Sequence, residues 1–128
     1  MAITPEESLF HEVVGLLPQH TSEDGALFPV VLCPNPKIVE KVQLTDAINA
    51  NKQWLDSLLH RSGAILFRGF PVFSASDFND VVESSGYEDF RYDVGGAGSR
   101  TKVVGRVYTA NEAPPDQEIP FHHEMSHV

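Results

Sequence analysis

His122, His123, Glu124 and His127 crowd four possible metal donors into the stretch His122-His123-Glu124-Met125-Ser126-His127-Val128. The chemistry open to them depends on the backbone period they obey. In an extended chain, successive side chains alternate between faces, so His122 and Glu124 project to one side and His123 to the other. An imidazole and a carboxylate on one face supply two ligands of the 2-His-1-carboxylate facial triad, which holds non-haem Fe(II) and leaves coordination positions open. On a helix the same letters read differently. His123-Glu124-Met125-Ser126-His127 is then a literal H-E-x-x-H, the pattern of a zinc hydrolase with two histidines one turn apart and a glutamate as general base. Solvated polar residues of a terminal segment are the third possibility, and they need no chemistry at all.

The approach to this stretch discriminates between the two metal readings. Pro114, Pro115 and Pro120 lie close together just before it. Each removes a backbone donor and biases the residue before it toward extended conformations. The chain is therefore expected to reach Phe121 and His122 extended, from a loop, without the helical turn that an H-E-x-x-H site needs ahead of its first histidine. That favours His122 and Glu124 as the pair and sets His123 and His127 aside.

The remaining donors read as structural. His11, His20 and His60 are expected to be solvated, His60 with a favourable place in the last turn of a helix. Cys33 is the single cysteine, so neither an intrachain disulfide nor a cysteine-based zinc cluster can form, and its expected role is that of a small buried residue. The glycine-rich residues 95–100 match neither the G-x-x-x-x-G-K-[ST] nor the G-x-G-x-x-G spacing and are expected to be a loop.

Several elements must position the donors. Residues 4–17 have helical apolar spacing (Leu9, Phe10, Val13, Val14, Leu17) behind a Thr4/Glu7 capping box, so a helix is expected there. Residues 27–33 form an apolar strand candidate that Pro29 pushes to a sheet edge or a strand start. A helix capped by Thr45 should run through His60 to a C-terminal Gly63, with Leu44, Ile48, Leu55, Leu58 and Leu59 at helical spacing and Trp54 in the core. Residues 63–70 suit a strand buried on both faces. Ser74 with Asp77 opens a further helix, turning Phe78, Val81 and Val82 inward. Residues 101–110 are a strand candidate around Gly105.

At 128 residues, with 41% hydrophobic and 21% charged composition, the chain suits a soluble globular protein of one domain at most. Nine Lys and Arg against eighteen Asp and Glu leave a net charge of −9, which speaks against nucleic-acid or anionic membrane partners. No apolar run approaches the roughly 20 residues that span a bilayer. The opening residues show neither a basic n-region nor a long apolar h-region, so an intracellular, cytoplasmic location is expected.

Three stretches together resemble a known family: Gly63-Ala64-Ile65-Leu66-Phe67-Arg68-Gly69-Phe70, then Val107-Tyr108-Thr109-Ala110-Asn111-Glu112-Ala113-Pro114-Pro115-Asp116, then Ile119-Pro120-Phe121-His122-His123-Glu124-Met125. They are similar to the plant clavaminate synthase-like proteins of the TauD/TfdA-like group of Fe(II)- and 2-oxoglutarate-dependent dioxygenases. The likeness reaches weakly back to the helix with Trp54, and the first forty residues carry none of it.

What the resemblance implies is an α+β chain forming the N-terminal part of a double-stranded β-helix (jelly-roll) oxygenase with its barrel incomplete. Residues 1–24 would be an N-terminal helix and loop of no recognised kind. Residues 25–128 would be the N-terminal portion of a truncated dioxygenase domain. The family's first metal motif, H-x-D/E, falls on His122 and Glu124, with His123 as its variable residue. Asn111 takes the place of an asparagine that faces the small-molecule substrate in relatives. The cofactor implied is Fe(II), with 2-oxoglutarate as cosubstrate. The second metal histidine and the arginine that pairs with 2-oxoglutarate belong to strands beyond those present, so this chain by itself is expected to be inactive. A non-catalytic paralogue acting as an interaction module through unpaired strand edges is the alternative. Neither substrate nor oligomeric state is legible.

Overall fold

Val30, Val31 and Leu32 are almost wholly buried, and the strand that carries them organises the fold. The computed structural model describes residues 9–35, 40–89, 100–110 and 113–123. In chain order the elements are β1 (Phe10–Glu12), β2 (His20–Thr21), β3 (Leu27–Phe28), β4 (Val30–Pro34), α1 (Lys41–Ala50), α2 (Lys52–Ser62), β5 (Ile65–Phe67), α3 (Ala75–Ser84), β6 (Lys102–Val104) and β7 (Val107–Tyr108). The main sheet has the order β1-β4-β5. β4 runs antiparallel to β1, with Phe10 opposite Pro34, and parallel to β5, with Val30 opposite Ile65. β2 with β3 and β6 with β7 form two antiparallel pairs of their own.

A parallel neighbour requires a crossover, and α1 with α2 supplies it. Leu44, Ala47 and Ile48 of α1 and Leu55 and Leu58 of α2 close over Val30, Leu32 and Phe10. Val31, on the opposite face by alternation, is equally buried. Phe10 is the hub of an aromatic group: it stacks on Trp54 at 6.0 Å and meets Phe67 and Phe70 at 5.9 Å each. Trp54 thus packs against the core, as its helical spacing suggested.

The structure corrects several expectations. Residues 9–17 form no helix. Their apolar spacing is helical, but Phe10–Glu12 pairs with β4, and the ladder is extended by Asn35 N–H donating to Leu9 O and Val13 N–H donating to Val31 O, each at 2.9 Å. Pairing with the most buried strand outweighs a weak local propensity. The expected strand at 27–33 is two strands broken at Pro29, which has no N–H to donate; Pro29 marks the start of the second, as one of the two alternatives had it, and that strand is central rather than an edge. Thr45 lies inside α1 and its hydroxyl donates back to Val42 O; the cap is Glu40, whose N–H donates to Gln43 Oε1 at 3.0 Å. The single helix expected through His60 breaks at Asn51, whose N–H and side-chain amide both donate to Ala47 O. Such a side chain competes with the helical ladder. Gly63, at φ 84°, ends α2 in the left-handed region as expected.

β5 is not buried on both faces: Leu66 and Phe67 are 37% and 40% exposed. The buried run is β4 instead, because β4 has a partner on each side and β5 ends the sheet order. α3 starts at Ser74, whose hydroxyl accepts from Asp77 N–H, as the sequence implied. Its buried residues are Asn79 and Ser84, while Phe78 faces outward. Residues 101–110 form a hairpin, not one strand, with Gly105 in its turn. The glycine-rich residues 95–99 lie outside the described residues.

Among the described residues the architecture is mixed α/β, and the strands close no barrel. No described helix is long and apolar enough to cross a membrane.

Candidate metal centre

The path to His122 starts at the β6–β7 hairpin. Thr109 N–H donates to Thr101 O, and Thr101 N–H donates to Thr109 Oγ1, both at 2.9 Å, which closes its base. Its turn is held on α3 through Asn79. The Asn79 side chain is nearly buried, and its Oδ1 accepts from Arg106 N–H at 2.7 Å. Arg106 Nη1 then donates to Tyr87 O at 2.8 Å. Gly105 makes this approach possible. Its φ is +52°, and a Cβ there would sit 2.2 Å from Asn79 Oδ1.

Beyond the hairpin, Asn111 and Glu112 lie outside the described residues. Gln117 N–H donates to Pro114 O at 3.0 Å, forming a turn at the double proline. From residue 118 to His123 the backbone is neither helix nor strand. The proline-rich approach is therefore non-helical, as expected, and no helix runs into His123. The expected strand at His122 is also missing, since no described strand lies beside it to form a ladder.

His122 is exposed, and its Nδ1 lies 2.8 Å from Pro120 O. A carbonyl oxygen only accepts, so Nδ1 carries a proton, and in the neutral ring the lone pair is then on Nε2. Metal-binding imidazoles use this arrangement: one nitrogen donates to a carbonyl or carboxylate, which orients the ring, and the other binds the ion. His122 thus fits the role of a neutral imidazole ligand. His123 is exposed alongside it. Glu124 and His127 lie outside the described residues, so the face shared by His122 and Glu124 stands on sequence.

The other histidines do not join this group. His11 is exposed on β1 opposite the half-buried Cys33 of β4. His20 is exposed on β2, in a hairpin strand rather than a loop. His60 is exposed on α2, with Nδ1 2.8 Å from Asp56 O. Among the described residues no three His, Cys, Asp or Glu side chains gather closely enough to hold a metal. Two groupings escaped the sequence reading. Asn79, Gly105 and Arg106 meet across α3 and the hairpin, where the only local signal was a glycine within a β-branched run. Lys52 and Asp56, one turn apart on α2, meet Tyr87 of the segment after α3, whose approach no spacing signals.

Comparison with known proteins extends the resemblance. The model of the taurine catabolism dioxygenase TauD, TfdA family matches residues 32–128, beginning inside β4 and well ahead of Gly63. A clavaminate synthase-like protein of Arabidopsis thaliana is 55% identical over 117 residues, covering 88% of this chain and 35% of that protein. A dapdiamide synthesis protein of Enterobacter agglomerans is 33% identical over 70 residues, or 55% of this chain and 21% of that one. The chain thus spans about a third of the length of the first relative and about a fifth of the second. The match reaches the buried strand at the centre of the fold and runs through the H-x-E segment, and on that extent the chain belongs to the taurine catabolism dioxygenase TauD, TfdA family.

Proposed function

We propose that the whole protein is an Fe(II)- and 2-oxoglutarate-dependent dioxygenase acting on a small-molecule substrate, and that this chain supplies His122 and Glu124 to its metal. The jelly-roll fold of the family is the frame in which those donors would converge with the rest of the site. The observation that supports the reading is His122: a non-helical approach delivers it, and its Nδ1 lies 2.8 Å from Pro120 O, which in the neutral ring makes Nε2 the donor atom.

Bound Fe(II) would activate dioxygen as the oxidant, with 2-oxoglutarate giving up two electrons as it is decarboxylated to succinate and the substrate giving up the other two. This chain's residues do the rest of what is proposed here. His122 donates a neutral nitrogen, and Pro120 O keeps the ring from turning away. Glu124 brings the single anionic oxygen donor that the 2-His-1-carboxylate pattern of non-haem Fe(II) calls for. Asn111 would offer an amide to the substrate. Asn79 and Arg106 hold the β6–β7 hairpin, which precedes His122 in the chain, on α3.

The second histidine and the arginine for 2-oxoglutarate match no position in this sequence. On this reading the 128-residue chain binds Fe(II) weakly and releases no succinate from 2-oxoglutarate. Calorimetric titration with Fe(II) under anaerobic conditions tests the donor assignment. His122→Ala should abolish the residual binding, and His127→Ala should leave it unchanged. The reverse result would restore the H-E-x-x-H reading, and succinate release by the chain alone would overturn the expected inactivity.

A second reading, a non-catalytic interaction module, draws on the exposed Leu66 and Phe67 of β5 at the end of the sheet order. A monodisperse monomer in size-exclusion chromatography, with no protein retained on it, would count against that reading.

A further inference from the structure

A cavity of about 250 Å³ opens between the helices and β5, away from the His122 segment. Ile48, Leu55, Leu59, Ile65, Val81 and Val82 give it an apolar lining. Its charged and phenolic groups form one cluster, Lys52 and Asp56 of α2 with Tyr87, while the Ser85 hydroxyl, also on the lining, donates to Val82 O. Lys52 and Asp56 are one helical turn apart and both face Tyr87. The Tyr87 hydroxyl donates to Asp56 Oδ1, and the Lys52 ammonium lies 5.5 Å from the centre of the Tyr87 ring.

The charges of that cluster are unequally satisfied. Asp56 has the phenolic proton of Tyr87. Lys52 is half-buried, and its recorded partner is the face of an aromatic ring, with no ion pair to a carboxylate among the described residues. Cation–π attraction offsets part of the desolvation of an ammonium but leaves its hydrogen-bond donors without an acceptor. An ammonium poised beside an apolar hollow is complementary to a ligand with an apolar body and one anionic oxygen group. Volume bounds the body: a dry cavity of roughly 150 Å³ takes up benzene, so this one has room for on the order of ten heavy atoms.

We propose that this cavity binds a monocarboxylate with a compact apolar body, its carboxylate on the Lys52 ammonium and its body among Leu55, Leu59, Val81 and Val82. Asp56 at the same rim repels a second anionic group, so dicarboxylates, 2-oxoglutarate included, are excluded. The Asp56 hydrogen bond also holds the Tyr87 phenol above its ordinary ionisation range, which keeps the ring neutral beside Lys52. This site is independent of the metal centre and does not rest on the dioxygenase reading.

The test is a ¹H–¹⁵N NMR titration of the purified chain with 3-phenylpropanoate, 3-phenylpropan-1-ol and glutarate. Saturable shifts are expected at the amides of Leu55, Leu59, Val81 and Val82 with 3-phenylpropanoate. The alcohol should bind at least tenfold more weakly, and glutarate should leave these amides unmoved. Lys52→Met, at a half-exposed position that leaves the core intact, should reduce 3-phenylpropanoate affinity to that of the alcohol. Val82→Phe should fill the cavity and abolish binding; should it fail to fold, Lys52→Met decides the matter. Absence of saturable shifts would overturn the proposal, as would equal binding of acid and alcohol, or Lys52→Met binding like the parent. So would concentration-dependent shifts at the same amides without ligand, which would show a second copy of the chain filling the cavity.

Discussion

His122 is a ligand candidate because of two neighbours of different kinds: Glu124 in the sequence and the Pro120 carbonyl in space. The first was legible from the H-x-E spacing; the second needed the fold of the segment after the proline turn. Two ionisable groups elsewhere give predictions at the same scale. The Tyr87 phenol titrates above its ordinary value of 10.0 because ionising it would lose the hydrogen bond to Asp56 and place a second negative charge beside that carboxylate. Its pKa being raised, the stability it contributes is present below that value and is lost as pH rises through the folded-state pKa. Asp56→Asn should bring the phenolate absorbance titration back toward the ordinary range. The Asp24 carboxyl is shifted the other way, below 3.8, chiefly because it accepts from the Ser22 hydroxyl and also from Ala26 N–H. Its contribution is present above 3.8 and is lost as pH falls through the lower, folded value. Ser22→Ala should raise the Asp24 pKa in a carboxyl NMR titration.

Among the elements, β4 carries the largest penalty for disturbance. Leu32 is wholly buried under α1 and α2, so Leu32→Ala removes apolar contact and leaves a void. The expected loss is about 2–5 kcal/mol in urea unfolding. Gly105→Ala tests the clamp between α3 and the hairpin. It combines φ +52° with a Cβ contact to Asn79 Oδ1 that the buried amide cannot easily relieve. A loss of about 1–3 kcal/mol is expected, with displacement of the Arg106 amide resonance as the hydrogen bond to Asn79 lengthens. Elements with a local origin were legible: Ser74 and Asp77 start α3, and Gly63 ends α2. β1 was not. Leu9, Phe10, Val13 and Val14 have helical spacing, and only the presence of β4 alongside turns residues 9–13 into a sheet edge.

For the whole molecule, a chain that spans 35% of its Arabidopsis relative matches the family from within β4 through residue 128, a range that includes His122 and Glu124. The family model and the relative agree on a dioxygenase lineage. Whether oxygenation requires more than this chain is decided by comparing 2-oxoglutarate-dependent succinate release from the 128-residue protein and from a form extended with the family's remaining barrel. Activity is expected from the second alone, and His122→Ala should abolish it there. The apolar surface along β5 belongs to this scale as well. Leu66 and Phe67 remain open at the end of the sheet, and the extended form should protect their amides from hydrogen exchange more strongly than the short chain does.

By itself the sequence determined the donor types, their spacing and the non-helical approach, because proline and side-chain chemistry act over a few residues. It also determined the C-cap of α2 and the N-cap of α3, where the hydrogen bonds close within one turn. Only the tertiary structure decided that β4 and not β5 is the buried strand, that residues 9–13 join the sheet, and that Lys52, Asp56 and Tyr87 share one rim. Each of those depends on contacts between residues far apart in the chain. Burial is a property of what lies on both sides of a strand, and no local pattern records it.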